Sequence, residues 1–131
     1  VQSIMSKIKV VSDCISQTLK KSCIITDNNQ IIYATGMSNK GIIDKDITVK
    51  LAKVIENRKS VVNVRVNNNE MIPLYNGDIC DYQCQFIVPI IVNGDCFGSI
   101  ILVSKDESCK IFDDDIKAVN LGVAFISQSI D

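Results

Sequence analysis

Two runs of apolar, largely β-branched residues, Phe86 to Val92 and Phe97 to Val103, flank Asn93-Gly94. Asn and Gly tolerate the positive φ that a type I′ turn needs at both central positions, so the pattern predicts a β-hairpin over 84–104. The arms are nearly continuous in apolar residues rather than alternating. That predicts strands covered on both faces, at the centre of a sheet. Two residues interrupt the runs. Pro89 has no N–H to give a ladder and is expected at a bulge or beside an unpaired position; Gly98 leaves room for a bend or for close approach by another group.

The rest of the chain follows from period and punctuation. Ile4, Ile8, Val11 and Ile15 recur at helical spacing over 1–20. A second stripe, Met5 or Val1 with Val10, Cys14 and Thr18, lies beside the first. It either widens one core-facing stripe or seeks another partner, such as the same helix of a second copy. Residues 22–27 read as a strand, 27–30 as its turn and 30–35 as the return strand, followed by a polar loop over 36–45. Asp46 is placed to cap a helix running to about Arg58, with Ile47, Leu51, Val54 and Ile55 on one face. Residues 61–66 alternate, which predicts an edge strand with Val62, Val64 and Val66 inward and Asn63 and Arg65 outward. Residues 67–83 are Asn-rich and hold Pro73, Asn76-Gly77 and isolated large side chains: Met71, Ile72, Leu74, Tyr75, Ile79 and Tyr82. Such a stretch is expected to pack down as a lid. Asp113-Asp114-Asp115 opens the last helix, where carboxylates complement the helix N-terminus; consecutive helical residues diverge, so capping is preferred to a metal site. That helix carries Ile116, Val119, Val123, Ile126 and Ile130 as a heptad-like seam, with Leu121, Ala124 and Phe125 beside it.

This order predicts an α+β fold, read as one domain over 1–131: a central antiparallel sheet with the terminal helices on one face and a helix plus lid loop on the other. A cavity between sheet and lid is the natural ligand site. Its candidate residues are Tyr33, Thr35, Met37, Leu51, Ile55, Tyr75, Tyr82, Cys84 and Phe86, each of which would equally serve as core packing. The oligomer interface is assigned to Ile4, Ile8, Val11 and Ile15 of the first helix and Val119, Val123, Ile126 and Ile130 of the last.

Composition narrows the chemistry. Residues 1–65 hold eleven Lys/Arg against five Asp/Glu, and residues 66–131 hold three against ten. The lysines are scattered, with no basic cluster studded with aromatic residues, so interleaved halves are preferred to a nucleic-acid arm. No apolar run is long enough for a membrane span. The six cysteines read as reduced, small hydrophobes rather than as a disulfide framework. The chain has no His, which removes the commonest general base and metal ligand. Neither a cofactor nor a metal site is assigned.

Three stretches carry a resemblance: Ser22-Cys-Ile-Ile-Thr-Asp27; Ser60-Val-Val62; and Pro89-Ile-Ile-Val-Asn-Gly-Asp95 with Gly98-Ser-Ile-Ile-Leu-Val-Ser-Lys-Asp106. They resemble the GAF domain family of small-molecule sensors. More sharply, they resemble the C-terminal GAF domains of the stage V sporulation protein T family, over about Ser12 to Gln128, least well across 67–83. That resemblance implies a cytoplasmic, forespore transcription regulator associating through its terminal helices as a homodimer or higher oligomer. It also implies contact with DNA through a separate N-terminal domain of the AbrB type, expected to lie outside these residues, the Val start suggesting a fragment. It supplies no ligand.

The expected function is therefore small-molecule sensing and oligomerisation in transcription control, without enzymatic activity. One alternative is a purely structural dimerisation domain with a filled pocket. Another is a Cys-based redox sensor or methionine sulfoxide reductase-like protein, because Cys80 and Cys84 form a C-x₃-C pair beside the lid. Asp78 and Asp81 would raise a thiol pKa there, which opposes such chemistry.

Overall fold

The computed structural model describes residues 2–36 and 41–130. In chain order the elements are α1 (Gln2–Leu19), β1 (Ser22–Asp27), β2 (Ile31–Thr35), α2 (Val49–Asn57), β3 (Val61–Val64), a 3₁₀ turn (Arg65–Asn67), β4 (Cys84–Val92), β5 (Asp95–Ser104) and α3 (Asp113–Ile130). The strands form one antiparallel sheet in the order β2-β1-β5-β4-β3.

The β4–β5 hairpin is the spine. Asn93 and Gly94 both take positive φ, at 51° and 84°, as its two-residue turn demands. The ladder shifts after Ile90↔Gly98, where Phe97 is the extra residue before Ile91↔Cys96. Pro89 lies opposite Ser99 and past the end of β3, whose pairing with β4 stops at Val61↔Ile87, so its missing N–H costs the β3 ladder nothing. Gly98 faces Asp27 of β1, and a Cβ there would stand 1.9 Å from the Thr26 carbonyl oxygen.

Alternation along these strands builds two apolar layers. On one face α1 and α3 cover Cys23, Ile25, Phe86, Val88, Ile90, Ile100 and Leu102. On the other, α2 and the 67–83 segment cover Ile24, Ile31, Ile87, Ile101 and Val103. Both faces of the three central strands are thus dry, as their unbroken apolar runs require.

Two local expectations change. Thr48, not Asp46, caps α2: its Oγ1 accepts from Leu51 N at 3.1 Å, while Asp46 and Ile47 lie before the helix in isolated bridges to Gln30 and Tyr75. The Thr48 hydroxyl also donates to Pro73 O, so one side chain fixes both the helix start and the lid. At the edge, β3 ends at Val64 because the chain turns into the 3₁₀ segment. Val64 is buried, but Val62 is 44% exposed and Val66 71% exposed. Asn63 points not to water but across to Gln85. The triple aspartate caps α3. Asp115, at the third helical position, accepts from Phe112 N at 2.8 Å, the carboxylate half of a capping box.

Candidate functional site

The lid is a packed layer. Met71, Leu74 and Tyr82 are buried with Leu51 and Ile55 of α2, and Ile42 joins them from the loop before α2. Sequence reasoning left Ile42 in a polar loop; its only signal is an apolar residue amid turn formers. Polar side chains then clamp the segment. Gln85, fully buried in β4, accepts from Ile72 N at 2.9 Å and donates to Ile72 O at 2.8 Å. Arg65 donates to Tyr82 O and Cys80 O. Asp78 accepts from Leu74 N, Cys80 N and the Tyr82 hydroxyl. Burial first, then the Asp78 carboxylate, holds the Tyr82 phenol well above its ordinary range.

The nine candidate pocket residues divide between faces. Leu51, Ile55, Tyr75 and Tyr82 belong to the lid layer. Tyr33, Thr35, Cys84 and Phe86 lie on the opposite face, under the terminal helices. Tyr33 Oη and Thr35 Oγ1 both donate to Asp13 Oδ1 of α1, at 3.1 and 2.8 Å, and Phe86 packs in the terminal-helix cluster. Burial and the Asp13 carboxylate raise the Tyr33 phenol above its usual range. Met37 lies outside the described residues. Each two-residue pairing held its shared face, but a strand's period cannot say which layer that face meets.

The C-x₃-C pair is divided in the same way. Cys80 packs with the lid layer, where burial and then Asp78 raise its thiol. Cys84, two residues before Phe86, turns to the terminal-helix side. Neither thiol carries the depressed pKa of a reactive nucleophile. Among the described residues, no three Cys, Asp or Glu side chains cluster to hold a metal ion, and no helix is long and apolar enough to cross a membrane.

The terminal helices present a second surface. Gly122 of α3 lies close against α1, where a Cβ would be 3.0 Å from both Ile15 Cδ1 and Val11 Cγ1. The eight residues assigned to an oligomer interface pack toward the sheet, with Val11 and Ile15 also reaching the floor of the outer groove. Ile8, Val11, Ile15, Val119 and Ile126 are buried in the sheet-facing cluster, and Ile4, Val123 and Ile130 pack partly buried against it. The correction follows from helix geometry: the most regular stripe covers the domain's own sheet. The stripe beside it stays outside, with Val10 57%, Leu121 73% and Phe125 45% exposed. These side chains border an apolar groove of about 510 Å³ between α1 and α3, lined only by uncharged residues.

Residues 6–131 match the family described as stage V sporulation protein T C-terminal, transcription factor. The chain belongs to this family. A curated relative, stage V sporulation protein T of Bacillus subtilis (strain 168), is 27% identical over 123 residues, covering 94% of the chain and 66% of the relative; the chain thus spans just under two thirds of that protein's length. Solved structures with the same fold include the GAF domain from Acinetobacter phosphoenolpyruvate-protein phosphotransferase, with a TM-score of 0.75 and 12% identity over 98% of this chain and 89% of that one. The cofactor-binding GAF domain of the nutrient sensor CodY from Clostridium difficile superposes with a TM-score of 0.64 and 10% identity, covering 93% of this chain and 83% of that one. A type II free methionine-R-sulfoxide reductase from Thermoplasma acidophilum gives a TM-score of 0.74 at 12% identity, covering 97% and 92%. At such identities the likeness is one of fold. The chain is accordingly a GAF-fold α+β domain of a transcription factor family, and its likeness to the reductase is one of architecture.

Proposed function

We propose that the chain acts as one regulatory and assembly domain, joining copies of a cytoplasmic, forespore transcription regulator through the outer faces of α1 and α3. The observation that carries this reading is the exposed stripe of Val10, Leu121 and Phe125 around an uncharged groove. An apolar face of this kind is costly to leave in water. Two antiparallel helices can pair with the same two helices of a second copy about a two-fold axis, burying the stripe against itself. DNA would be contacted by a separate domain of such a regulator, with this one setting the spacing of the copies.

Small-molecule sensing is a second reading. It is favoured by how the lid is attached: side-chain clamps, the isolated Ile47–Tyr75 bridge and scattered backbone bonds such as Thr48 N to Leu74 O and Gln83 N to Ser104 O, rather than a strand ladder, hold it to the domain. A segment so held can open without breaking the sheet. The filled layer of Leu51, Ile55, Met71, Leu74 and Tyr82 weighs toward assembly as the resting role.

Native mass spectrometry of the chain and of the double variant Leu121→Asp, Phe125→Asp tests the assembly reading. The expected result is a dimer that becomes a monomer in the variant with an unchanged circular dichroism spectrum. A wild-type monomer, or a variant that still dimerises, overturns it. An added small-molecule mass on the wild-type species would support sensing.

A further inference from the structure

Cys84 and Cys109 meet at the end of the sheet. Cys84 opens β4, is fully buried and has Ser104 of β5 as its Cα partner. Cys109 lies in the connection from β5 to α3, is half-buried, and directs its thiol at the Ser104 carbonyl, 3.7 Å away. Both residues therefore sit against the same β5 residue, which brings the two cysteines to one end of the sheet. A turn fixes the backbone of Cys109: its N–H donates to Asp106 O at 3.0 Å, and the Asp106 carboxylate accepts from Ser108 N. Burial and the neighbouring Cys109 disfavour a charged Cys84, and the Lys21 ammonium that opposes them is paired with Asp115, whose carboxylate acts with them. Cys80, only four residues from Cys84 in sequence, packs in the opposite layer and does not compete.

We propose that Cys84 and Cys109 form a reversible dithiol–disulfide site, oxidised by hydroperoxides. Cys109, the more accessible of the two, attacks as thiolate on a peroxide oxygen. The O–O bond breaks, an alcohol (water, for hydrogen peroxide) departs with the proton, and Cys109 becomes a sulfenic acid. The Cys84 sulfur then attacks the Cys109 sulfur, the S–O bond breaks, and the departing hydroxide takes the Cys84 proton to leave as water. Two thiols and one hydroperoxide give one disulfide, one alcohol and one water; the sulfurs lose the two electrons that the peroxide gains. A dithiol reductant reverses the change by exchange. Burial pushes the Cys84 thiol up to about 12, which makes it a poor first nucleophile and suits it to resolving a sulfur held at the same β5 residue. The resulting bond ties the connection that leads into α3 to the first residue of β4.

The test is non-reducing peptide mapping by mass spectrometry after treating the chain with hydrogen peroxide, with thiol titration under denaturing conditions. The expected result is a Cys84–Cys109 linked peptide, a fall from six free thiols to four, restoration by dithiothreitol, and no such peptide in Cys109→Ser. Persistence of six thiols, over-oxidation of Cys109 with Cys84 reduced, or a Cys80–Cys84 link in its place overturns the proposal. Should Cys109→Ser fail to fold, the wild-type map decides alone.

Discussion

Gln85 grips Ile72 by both of its backbone groups, accepting from the N–H at 2.9 Å and donating to the carbonyl at 2.8 Å. One buried amide thus substitutes for a strand pair and latches the lid to β4. Replacing it with Leu leaves the Ile72 groups unpartnered, and an unsatisfied buried group costs about 1–3 kcal/mol. Gln85→Leu is expected to lower stability by about that amount in urea unfolding and to speed hydrogen exchange across 70–75 before the sheet. Unchanged exchange in the lid would refute the latch.

Lys21 and Asp115 form an ion pair at 3.2 Å with side chains 9% and 4% exposed, and the Lys21 ammonium also lies 5.7 Å from the Phe112 ring centroid. Lys21→Met strands a carboxylate, for which about 3–5 kcal/mol is expected. The double variant Lys21→Met, Asp115→Asn is expected to recover part of the loss while keeping the cap on Phe112 N. With Asp115→Asn measured alone, losses that simply add in the double variant would show that the pair is not coupled.

The two stripes of α1 should separate in behaviour. Ile8→Ala empties a buried core position and is expected to cost about 2–5 kcal/mol. Val10→Ala should leave monomer stability within about 0.5 kcal/mol and weaken self-association. Analytical ultracentrifugation beside thermal unfolding distinguishes the two, and the reverse pattern would contradict the assigned faces.

Gly98→Ala should be far worse than its size suggests. The added carbon would overlap the Thr26 carbonyl, a backbone atom that cannot rotate away. A loss above about 4 kcal/mol is expected, read as insoluble or unfolded protein by circular dichroism; a soluble, native-like variant would mean the β1–β5 pair can shift.

Part of the alkaline stability follows from Cys23, whose thiol burial pushes from 9.0 to about 12, as it does for Cys84. A pKa raised in the folded state contributes stability that is complete below the unfolded value and lost as pH climbs toward the folded one. Stability is therefore expected to fall between pH 9 and 12, and Cys23→Ala should flatten that limb in denaturant titrations. A limb unchanged in the variant would assign the fall to other groups.

The layers were legible because period reports burial. The unbroken runs of β4 and β5, the Asn93-Gly94 turn and the helical stripes each placed an element. What sequence could not supply was the partner of each face. Tyr33 and Thr35 share a face by alternation, yet that face meets Asp13 and not the lid, a fact set by strand order. The same ignorance put Ile8 and Val119 at an interface when the sheet had first claim on them. Asp46 lost the cap to Thr48 because a bridge to Gln30 held the chain extended for two more residues, an interaction sixteen positions away. Val66 looked like a third inward strand position until the turn after Val64 ended the period. Cys84 looked paired with Cys80 in sequence, but a reversal of facing carried the two thiols to opposite layers.

Gly122 carries a consequence for descent. Its missing Cβ, Ile15 Cδ1 and Val11 Cγ1 compete for one small volume where α3 leans on α1. Positions 11, 15 and 122 therefore draw on a single quantity of space: a relative that gains a methyl at 122 should have surrendered one at 11 or 15, and a lineage that enlarges two of them together should have moved its helices apart.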